Sequence, residues 1–241
     1  QEGKASFGNG DVYIERFVIN PRHIEVQILG DAHGNIVHVF ERECSVQRNN
    51  QKMIEEAPVV NISKETKDRL YAVCLAGAKS IDYESLGTFE FIMDNEENFY
   101  FIEMNTRLQV EHPITELISG VDLLTQQIRV AEGKTLPFTQ SDLSIRGHSI
   151  EIRINAEDPF NGFMPHAGLI KNLHFPGGNG VRVDSFVYPG YTIQPYYDSM
   201  IAKLIVYART RDEAMEKAIR SLEELEVDGI VTNVEFQLEI L

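Results

Sequence analysis

Cysteine is scarce in this 241-residue sequence, with only Cys44 and Cys74, and tryptophan is absent. Two cysteines so far apart offer neither a metal-ligand spacing nor a disulfide framework. We therefore expect a reducing compartment, the cytoplasm. No apolar run reaches the length of a membrane span, so the sequence does not predict a membrane protein.

Basic residues are also few, with 22 Lys and Arg against 37 Asp and Glu and a net charge of −15. Nucleic acids and anionic membranes both require a basic face, so neither is expected as a partner. An anionic substrate would have to be held by a local group of cations. The 43% of hydrophobic residues, including 13 Phe, are enough for a sizeable core.

The most informative stretch runs from Thr88 to Pro113 and reads as two aromatic-rich strands joined by a polar turn. If the loop is 95–98, Asp94 faces Phe99, and counting back along the ladder places Glu90 opposite Glu103. Like charges across a ladder are unfavourable. A hard divalent cation between them, with Asn105 as a third oxygen ligand, explains the pattern.

One consequence and one alternative interpretation belong to that pairing. Without a metal, one of the two facing carboxyls should resist ionisation. The alternative is an exposed acidic edge that discourages sheet pairing, which we rank lower because Glu90 and Glu103 lie among phenylalanines.

The remaining pattern predicts an α+β fold. We expect the elements below. Residues 11–29 form a strand, a turn at 20–21 and a second strand, followed by a return strand at 36–41 and a polar loop at 42–52. A helix at 64–82 carries the apolar stripe Leu70, Val73, Gly77 and Ile81, and two further helices follow Pro113, the second capped by Asp122. The last part of the chain contains strands at 148–155, 169–175, 181–187 and 200–207 and a helix from Thr210 to Glu224. On the strand at 22–29 and on that at 148–155, isoleucines and a valine face the core and the alternating polar residues face outward.

The run Glu-Met-Asn-Thr-Arg-Leu-Gln-Val-Glu-His-Pro at 103–113, with Gly-Thr-Phe-Glu-Phe one strand earlier, resembles the signature of biotin carboxylases, a branch of the ATP-grasp ligases. Similar stretches run through essentially the whole chain, which is about the C-terminal half of such an enzyme. The resemblance implies a large antiparallel ATP-grasp sheet with flanking helices. It also implies a division into the tail of the small lobe (1–17), the large lobe (18–133), a linker (134–147) and the biotin carboxylase C-terminal domain (148–241).

The family reaction uses ATP to activate bicarbonate as carboxyphosphate and then carboxylates biotin on a carrier protein. The resemblance assigns a role to each matching residue of this chain. Mg²⁺ or Mn²⁺ would be bound by Glu90, Glu103 and Asn105, and bicarbonate by Arg107, Lys52, Gln109 and the backbone of Val110. The general base would be Glu111, and the biotin enolate would be stabilised by Arg153. The adenosine would be contacted by Glu15, His23, Gln47 and Asn50. Taken alone, Glu111 would read as a helix N-terminal acid and Arg153 as a solvated arginine. The Tyr196–Met200 segment also matches, and we expect a packing role for it.

The implied partners are a biotin carboxyl carrier protein, carboxyltransferase subunits and, in the full-length protein, a second copy. Asn105-Thr106-Arg107 favours an acyl-CoA carboxylase, such as the acetyl-CoA carboxylase of fatty acid synthesis, over pyruvate carboxylase. The alternatives are another ATP-grasp ligase, such as a carbamoyl phosphate synthetase, and a docking or dimerisation piece without turnover. We also expect this chain alone to fold but not to catalyse, because the family's phosphate-binding lysines and glycine-rich flap have no counterpart in it.

Overall fold

The structure, a computed structural model, describes residues 2–12 and 14–241, apart from the side chains of Glu2 and Phe7. The helices of that part of the chain are α1 (Glu2–Phe7), α2 (Lys64–Ser80), α3 (His112–Ser119), α4 (Leu123–Ala131), α5 (Arg211–Glu224) and α6 (Val234–Ile240), with a 3-10 turn at Gln140–Asp142. The strands are β1 (Arg22–Gly30), β2 (Ile36–Arg48), β3 (Gln51–Ala57), β4 (Ser85–Met93), β5 (Phe99–Asn105), β6 (His148–Asn155), β7 (Glu157–Asp158), β8 (Met164–Pro165), β9 (Gly168–Leu169), β10 (Asn172–His174), β11 (Val181–Ser185), β12 (Thr192–Ile193), β13 (Met200–Ala208) and β14 (Glu226–Asp228).

One antiparallel sheet organises the molecule, with strand order β11-β13-β6-β3-β2-β1-β4-β5. This large sheet with its flanking helices confirms the predicted fold class. The sheet runs through the predicted linker boundary, because β6 pairs with β3 and so joins strands from either side of 134–147. The division of the chain into lobes stays a prediction.

The apolar side of the sheet is covered by α2 and α5. Ile24, Val26 and Ile28 pack with Leu70 and Cys74 of α2. Ser63 caps this helix as predicted, accepting a hydrogen bond from the Thr66 amide. The predicted stripe is confirmed at Leu70 and wrong at Val73 and Ile81, which are exposed, and the buried residues of the helix are Thr66, Leu70, Cys74 and Ala78.

The other side of the sheet is polar and nevertheless buried. Glu25 and Gln27 on β1 and Glu151 on β6 are at most 1% exposed, so the prediction that this side faces outward was wrong. Residues 42–48, predicted as a loop, continue β2, with a turn at 49–50 before β3. Their polar side chains suggested a loop, but Glu43 and Gln47 lie at hydrogen-bond distance from Arg22 and His23 of the neighbouring strand β1.

The strand predicted at 11–19 is absent from the described residues there. Val12, Ile14 and Phe17 are more than 85% exposed. A strand needs a hydrogen-bonding partner, and among the described strands none lies beside this segment. Residue 13 lies outside the described residues.

His38 on β2 gives a pH-dependent stability. Its ring stacks on Tyr71 with centroids 3.8 Å apart, and burial lowers its pKa from 6.5 to about 4, outweighing the attraction of Glu41 and Asp68. The unfolded chain therefore binds a proton near pH 6.5 that the folded chain binds only near pH 4, so stability falls as the pH drops through that range. We expect His38→Phe to remove about 1–2 kcal/mol of the loss in unfolding free energy between pH 7 and pH 5.

Urea unfolding at the two pH values measures this difference. His174→Asn, which changes an exposed histidine, serves as the control and should behave like the parent. An unchanged pH dependence in His38→Phe would show that His38 titrates normally in the folded protein.

No helix in the described part of the chain combines the length and the apolar character needed to cross a membrane.

Candidate active site

The predicted pairing of Glu90 with Glu103 is confirmed, although the route to it differs. The turn is one residue wider than expected, because the Asp94 amide bonds the Asn98 carbonyl and Phe99 pairs with Met93 instead of Asp94. An irregularity between Glu90 and Phe91 shifts the register back. The two acidic residues therefore face each other, with Asn105 two residues beyond Glu103.

A cleft of about 380 Å³ opens on the polar side of the sheet beside this hairpin. Most of the residues predicted for the site line it, namely His23, Asn50, Lys52, Glu90, Glu103, Asn105, Arg107, Gln109, Val110, Glu111 and Arg153. Gln47 lies in an adjoining cavity of about 450 Å³ that shares His23, Asn50, Glu90 and Glu103 with the cleft. Glu15 is exposed and lines neither cavity, so this structure does not bring it to the site.

Arg42 forms the floor beneath the cleft and is fully buried. Its guanidinium donates to Glu25 Oε2 at 3.0 and 3.2 Å and to Gln27 Oε1 at 2.7 Å. It also donates to Gln109 Oε1 at 2.9 Å, and Gln109 Nε2 in turn donates to Glu90 Oε1 at 2.6 Å. The buried arginine thus fixes the amide of Gln109, whose other end fixes a carboxylate of the cleft.

Glu111 stands between two cations. Lys52 Nζ is 2.7 Å from its Oε1 and Arg153 Nη2 is 3.0 Å from its Oε2. Glu111 occupies the N-cap position of α3, as its reading as a helix N-terminal acid expects, but its side chain makes no cap hydrogen bond and is held by the two cations instead. The carboxylate is therefore flanked by positive charge on both sides.

Arg153 is only 17% exposed at its side chain, so it is not a solvated surface arginine. Its Nε donates to Glu55 Oε1 at 2.6 Å while Nη2 reaches Glu111. Arg107 is exposed, and its Nη2 donates to Asn105 Oδ1 at 3.1 Å. Arg153 is therefore held in place by two carboxylates, whereas Arg107 lies at the open side of the cleft.

His23 stands next to the acidic pair. Its Nε2 lies 2.8 Å from Glu90 Oε2, and its Nδ1 is 3.1 Å from Gln47 Nε2. Burial lowers the pKa of His23, but the hydrogen bonds to Glu25 and Glu90 prevail and raise it from 6.5 to about 9. The ring is therefore a cation at neutral pH, in addition to Lys52, Arg107 and Arg153 of the cleft.

Glu90 is ionised. Burial raises its pKa, but His23, Lys52 and Gln109 together lower it from 4.5 to about 2. Glu90 is therefore not a carboxyl that resists ionisation, because protein cations already compensate its charge.

The donor set around Glu90 and Glu103 fits a divalent cation. Asn105 Nδ2 donates to Glu90 Oε1 at 2.7 Å and to Glu103 Oε1 at 3.1 Å, so a partly positive amide group bridges the two carboxylates. Two carboxylates and an amide, all facing the cleft, are the oxygen ligands that Mg²⁺ prefers.

Several residues of the site escaped sequence reasoning. Asp198, Ser199 and Met200 line the cleft, while the neighbouring Tyr196 and Tyr197 are more than 80% exposed, so the packing role predicted for this segment was wrong. Glu25 and Arg42 were missed because alternation on β1 suggested a solvated polar face. The sequence did carry one signal for a buried polar layer. Three polar residues, His23, Glu25 and Gln27, share one side of β1, and the neighbouring strand β2 carries Arg42.

Two family models match the chain. The model described as carbamoyl-phosphate synthase L chain, ATP binding domain, matches residues 1–139, and the biotin carboxylase C-terminal domain matches residues 151–241. The first match defines the class, an ATP-binding domain of the ATP-grasp type. With the second, the chain belongs to the biotin carboxylase family.

Individual relatives agree. The biotin carboxylase of Pseudomonas aeruginosa is 50% identical over 240 residues, which cover 100% of this chain and 53% of the relative. A pyruvate carboxylase subunit of Methanothermobacter thermautotrophicus is 51% identical, over 98% of this chain and 48% of the relative. The chain thus spans about half the length of the curated relatives it matches.

A solved structure is also similar along nearly the whole chain. It is the biotin carboxylase domain dimer of the Hydrogenobacter thermophilus 2-oxoglutarate carboxylase, in complex with MgADP, ADP and bicarbonate. The TM-score is 0.95 with 48% identity, over 99% of this chain and 53% of the other.

Proposed function

We propose that the protein carrying this sequence is a biotin carboxylase, which uses ATP and bicarbonate to carboxylate biotin on a carrier protein. The observation that carries the proposal is the constellation of Glu111 between Lys52 and Arg153 beside an acidic pair suited to a divalent cation. Phosphoryl transfer needs such a cation to neutralise phosphate oxygens. The cations of the cleft supply the charge for a small planar anion despite a net charge of −15.

Each residue has a role in the proposed reaction. Mg²⁺, or Mn²⁺ in its place, would be held by Glu90, Glu103 and Asn105 and would polarise the nucleotide phosphates. Arg107, at the open side of the cleft, can offer a bidentate guanidinium to bicarbonate, with Lys52, Gln109 and the Val110 backbone as further contacts. Glu111 accepts the proton of bicarbonate, and its two oxygens lie at hydrogen-bond distance from donors that hold it in place. Arg153, on the far side of Glu111, stabilises negative charge on biotin.

The adenosine contacts are proposed for the adjoining cavity. The cavity is lined by His23, Gln47 and Asn50. Their imidazole and two side-chain amides can form hydrogen bonds with ribose hydroxyls and base edges. Glu15, exposed and away from both cavities, is retained only as a residue suggested by the family resemblance.

Oxygen transfer tests the reaction class. If bicarbonate attacks the γ-phosphate of ATP, one bicarbonate oxygen remains on phosphate after carboxyl transfer. With ¹⁸O-bicarbonate, the full-length protein should release phosphate carrying one ¹⁸O per turnover in the presence of biotin. Release of unlabelled phosphate would mean that water attacks instead, and would contradict the proposed reaction.

The metal ligands give a separate prediction. Glu103→Gln should weaken Mn²⁺ binding by about 10-fold or more, because one anionic ligand is lost, while the fold is kept. Glu96→Gln, which removes the same charge from an exposed position on the same hairpin, is the control and should bind like the parent. Electron paramagnetic resonance titration of Mn²⁺ measures the difference, and equal affinity in Glu103→Gln and Glu96→Gln would remove Glu103 from the site.

The acceptor and the assembly are proposed more broadly. Asn105-Thr106-Arg107 favours an acyl-CoA carboxylase of the acetyl-CoA type, and a similar identity to a pyruvate carboxylase subunit makes pyruvate the alternative. Partners would be the biotin carboxyl carrier protein, carboxyltransferase subunits and a second copy, as in the dimer of the 2-oxoglutarate carboxylase domain. The buried thiols Cys44 and Cys74 suit a reducing cytoplasm.

A carbamoyl phosphate synthetase remains the second candidate, because the model matching residues 1–139 carries that description. Such an enzyme would pass the activated carboxyl to ammonia instead of biotin. The match of residues 151–241 to the biotin carboxylase C-terminal domain favours biotin.

A further inference from the structure

Behind Arg153, two glutamates face each other across adjacent strands. Glu55 on β3 and Glu151 on β6 are partners in the antiparallel ladder, and both are fully buried. Directly opposed side chains in a ladder lie on the same side with their Cβ atoms about 5 Å apart. Two carboxyl groups are therefore adjacent in a place that water does not reach.

These carboxyls are short of hydrogen-bond donors. Oε2 of Glu55 and both oxygens of Glu151 are buried without a partner. The groups that face them are Arg153, which binds Glu55 Oε1 at 2.6 Å, Lys203, 3.7 Å from Glu151 Oε1, and the more distant Lys52 and Glu111. A buried carboxylate without hydrogen bonds is costly, and a proton between the pair satisfies it.

The electrostatics agree with this geometry. Burial raises the pKa of Glu151 well above 4.5, reinforced by the charge of Glu55 and opposed by Lys203. Burial also raises the pKa of Glu55 to about 7, although Arg153 pulls it down. Two interacting carboxyls titrate as a unit, and burial together with the repulsion between two adjacent negative charges favours a state in which the pair keeps one proton.

We propose that Glu55 and Glu151 share one proton, held on Glu151 and donated to Glu55, and that the pair acts as a positioning device for Arg153 and Lys203. Glu55 carries the single negative charge and fixes the guanidinium of Arg153, whose Nη2 then reaches Glu111 at 3.0 Å. Lys203, close to the neutral Glu151, is free to donate to the Val110 carbonyl at 2.6 Å.

The shared proton matters because a second charge would compete for the same cations. If both carboxyls ionised, Glu151 would attract Lys203 away from Val110 and Arg153 away from Glu111. The alkaline decline of carboxyl transfer would then report the pair. This consequence rests on the proposed function, whereas the proton itself does not.

Infrared difference spectroscopy tests the proton without any assay of activity. In the full-length protein at pH 7.5 in D₂O, the parent minus Glu151→Gln spectrum should contain the carbonyl band of one protonated carboxyl group. A spectrum without that band shows that Glu151 is ionised and overturns the proposal, whether or not the protein carboxylates biotin. The control is Glu157→Gln, which changes a partly buried glutamate near β6. This variant should keep the protonated carboxyl, so the parent minus Glu157→Gln spectrum should not contain its band.

Conservative rescue tests the positioning role. Glu151→Leu should lower carboxyl transfer to biotin about 100-fold, because a small misplacement of a reacting group costs that much, and Glu151→Gln should restore most of it, since an amide can donate the same hydrogen bond to Glu55. Because the amide cannot ionise, the alkaline limb of the pH profile should move to higher pH in Glu151→Gln. An equal loss in folded Glu151→Gln and Glu151→Leu, or an unmoved limb, would contradict a role for the proton in positioning.

Discussion

Replacing Glu111 by glutamine is expected to lower both bicarbonate-dependent ATP cleavage and carboxyl transfer to biotin by about 10²–10⁴-fold. The amide keeps the shape of the side chain but cannot accept the proton of bicarbonate, and general-base catalysis contributes about that factor. Because deprotonation of bicarbonate precedes every later step, the two rates should fall together. Rates measured by phosphate release and by carboxybiotin formation in the full-length protein provide the comparison.

Arg153→Ala should lower carboxyl transfer to biotin more than bicarbonate-dependent ATP cleavage. Its guanidinium lies beyond Glu111, against Glu55, so carboxyl transfer should fall by at least about 10-fold more than ATP cleavage if the arginine acts on biotin. Arg209→Ala, on an arginine that is 85% exposed, should change neither. Equal losses of both rates in Arg153→Ala would argue that Arg153 serves only to hold Glu111.

Arg42→Met is expected to reduce the free energy of unfolding by about 3–5 kcal/mol, because removing one partner leaves buried charge uncompensated. The guanidinium of Arg42 is fully buried and bonds Glu25, Gln27 and Gln109. Methionine keeps much of the volume and removes all of these bonds, so the loss reflects charge and hydrogen bonding more than a cavity.

Urea denaturation measures the stability of this variant. Arg209→Met is the matched control, and its exposed ion pair with Glu213 should contribute less than about 1 kcal/mol. A loss below about 1 kcal/mol in Arg42→Met would mean that Glu25 becomes protonated or hydrated at little cost. In that case the floor of the cleft is adaptable instead of fixed.

The local pattern predicted the acidic pair but not its surroundings. Glu90 and Glu103 could be placed opposite each other because a hairpin couples positions through a simple count along the ladder. The widened turn and the irregularity in the ladder happened to cancel, so the pairing was right while the turn was not. Counting works for neighbours in a hairpin and carries no information about which other strands join the sheet.

The buried polar side of the sheet shows why. Period-two alternation of Glu25 and Gln27 is the same whether the polar side meets water or a second layer of protein. Thr115 of α3, 73 positions beyond Arg42 and bonded to it at 3.0 Å, belongs to that second layer. Only tertiary packing distinguishes the two cases, so the burial of Glu25, Arg42 and Glu151 does not follow from local sequence, although the polar side of β1 opposite an arginine was a signal for the first two.

The destination of the activated carboxyl group is the most direct test of the proposed function. Full-length protein, ATP, Mg²⁺ and ¹⁴C-bicarbonate should be incubated with free biotin, with the biotinylated carrier protein and with ammonia in parallel. We expect acid-labile label on biotin and on the carrier, dependent on ATP and strongly reduced in Glu111→Gln. Label transferred to ammonia, with none on biotin, would contradict the assignment and favour a carbamoyl phosphate synthetase.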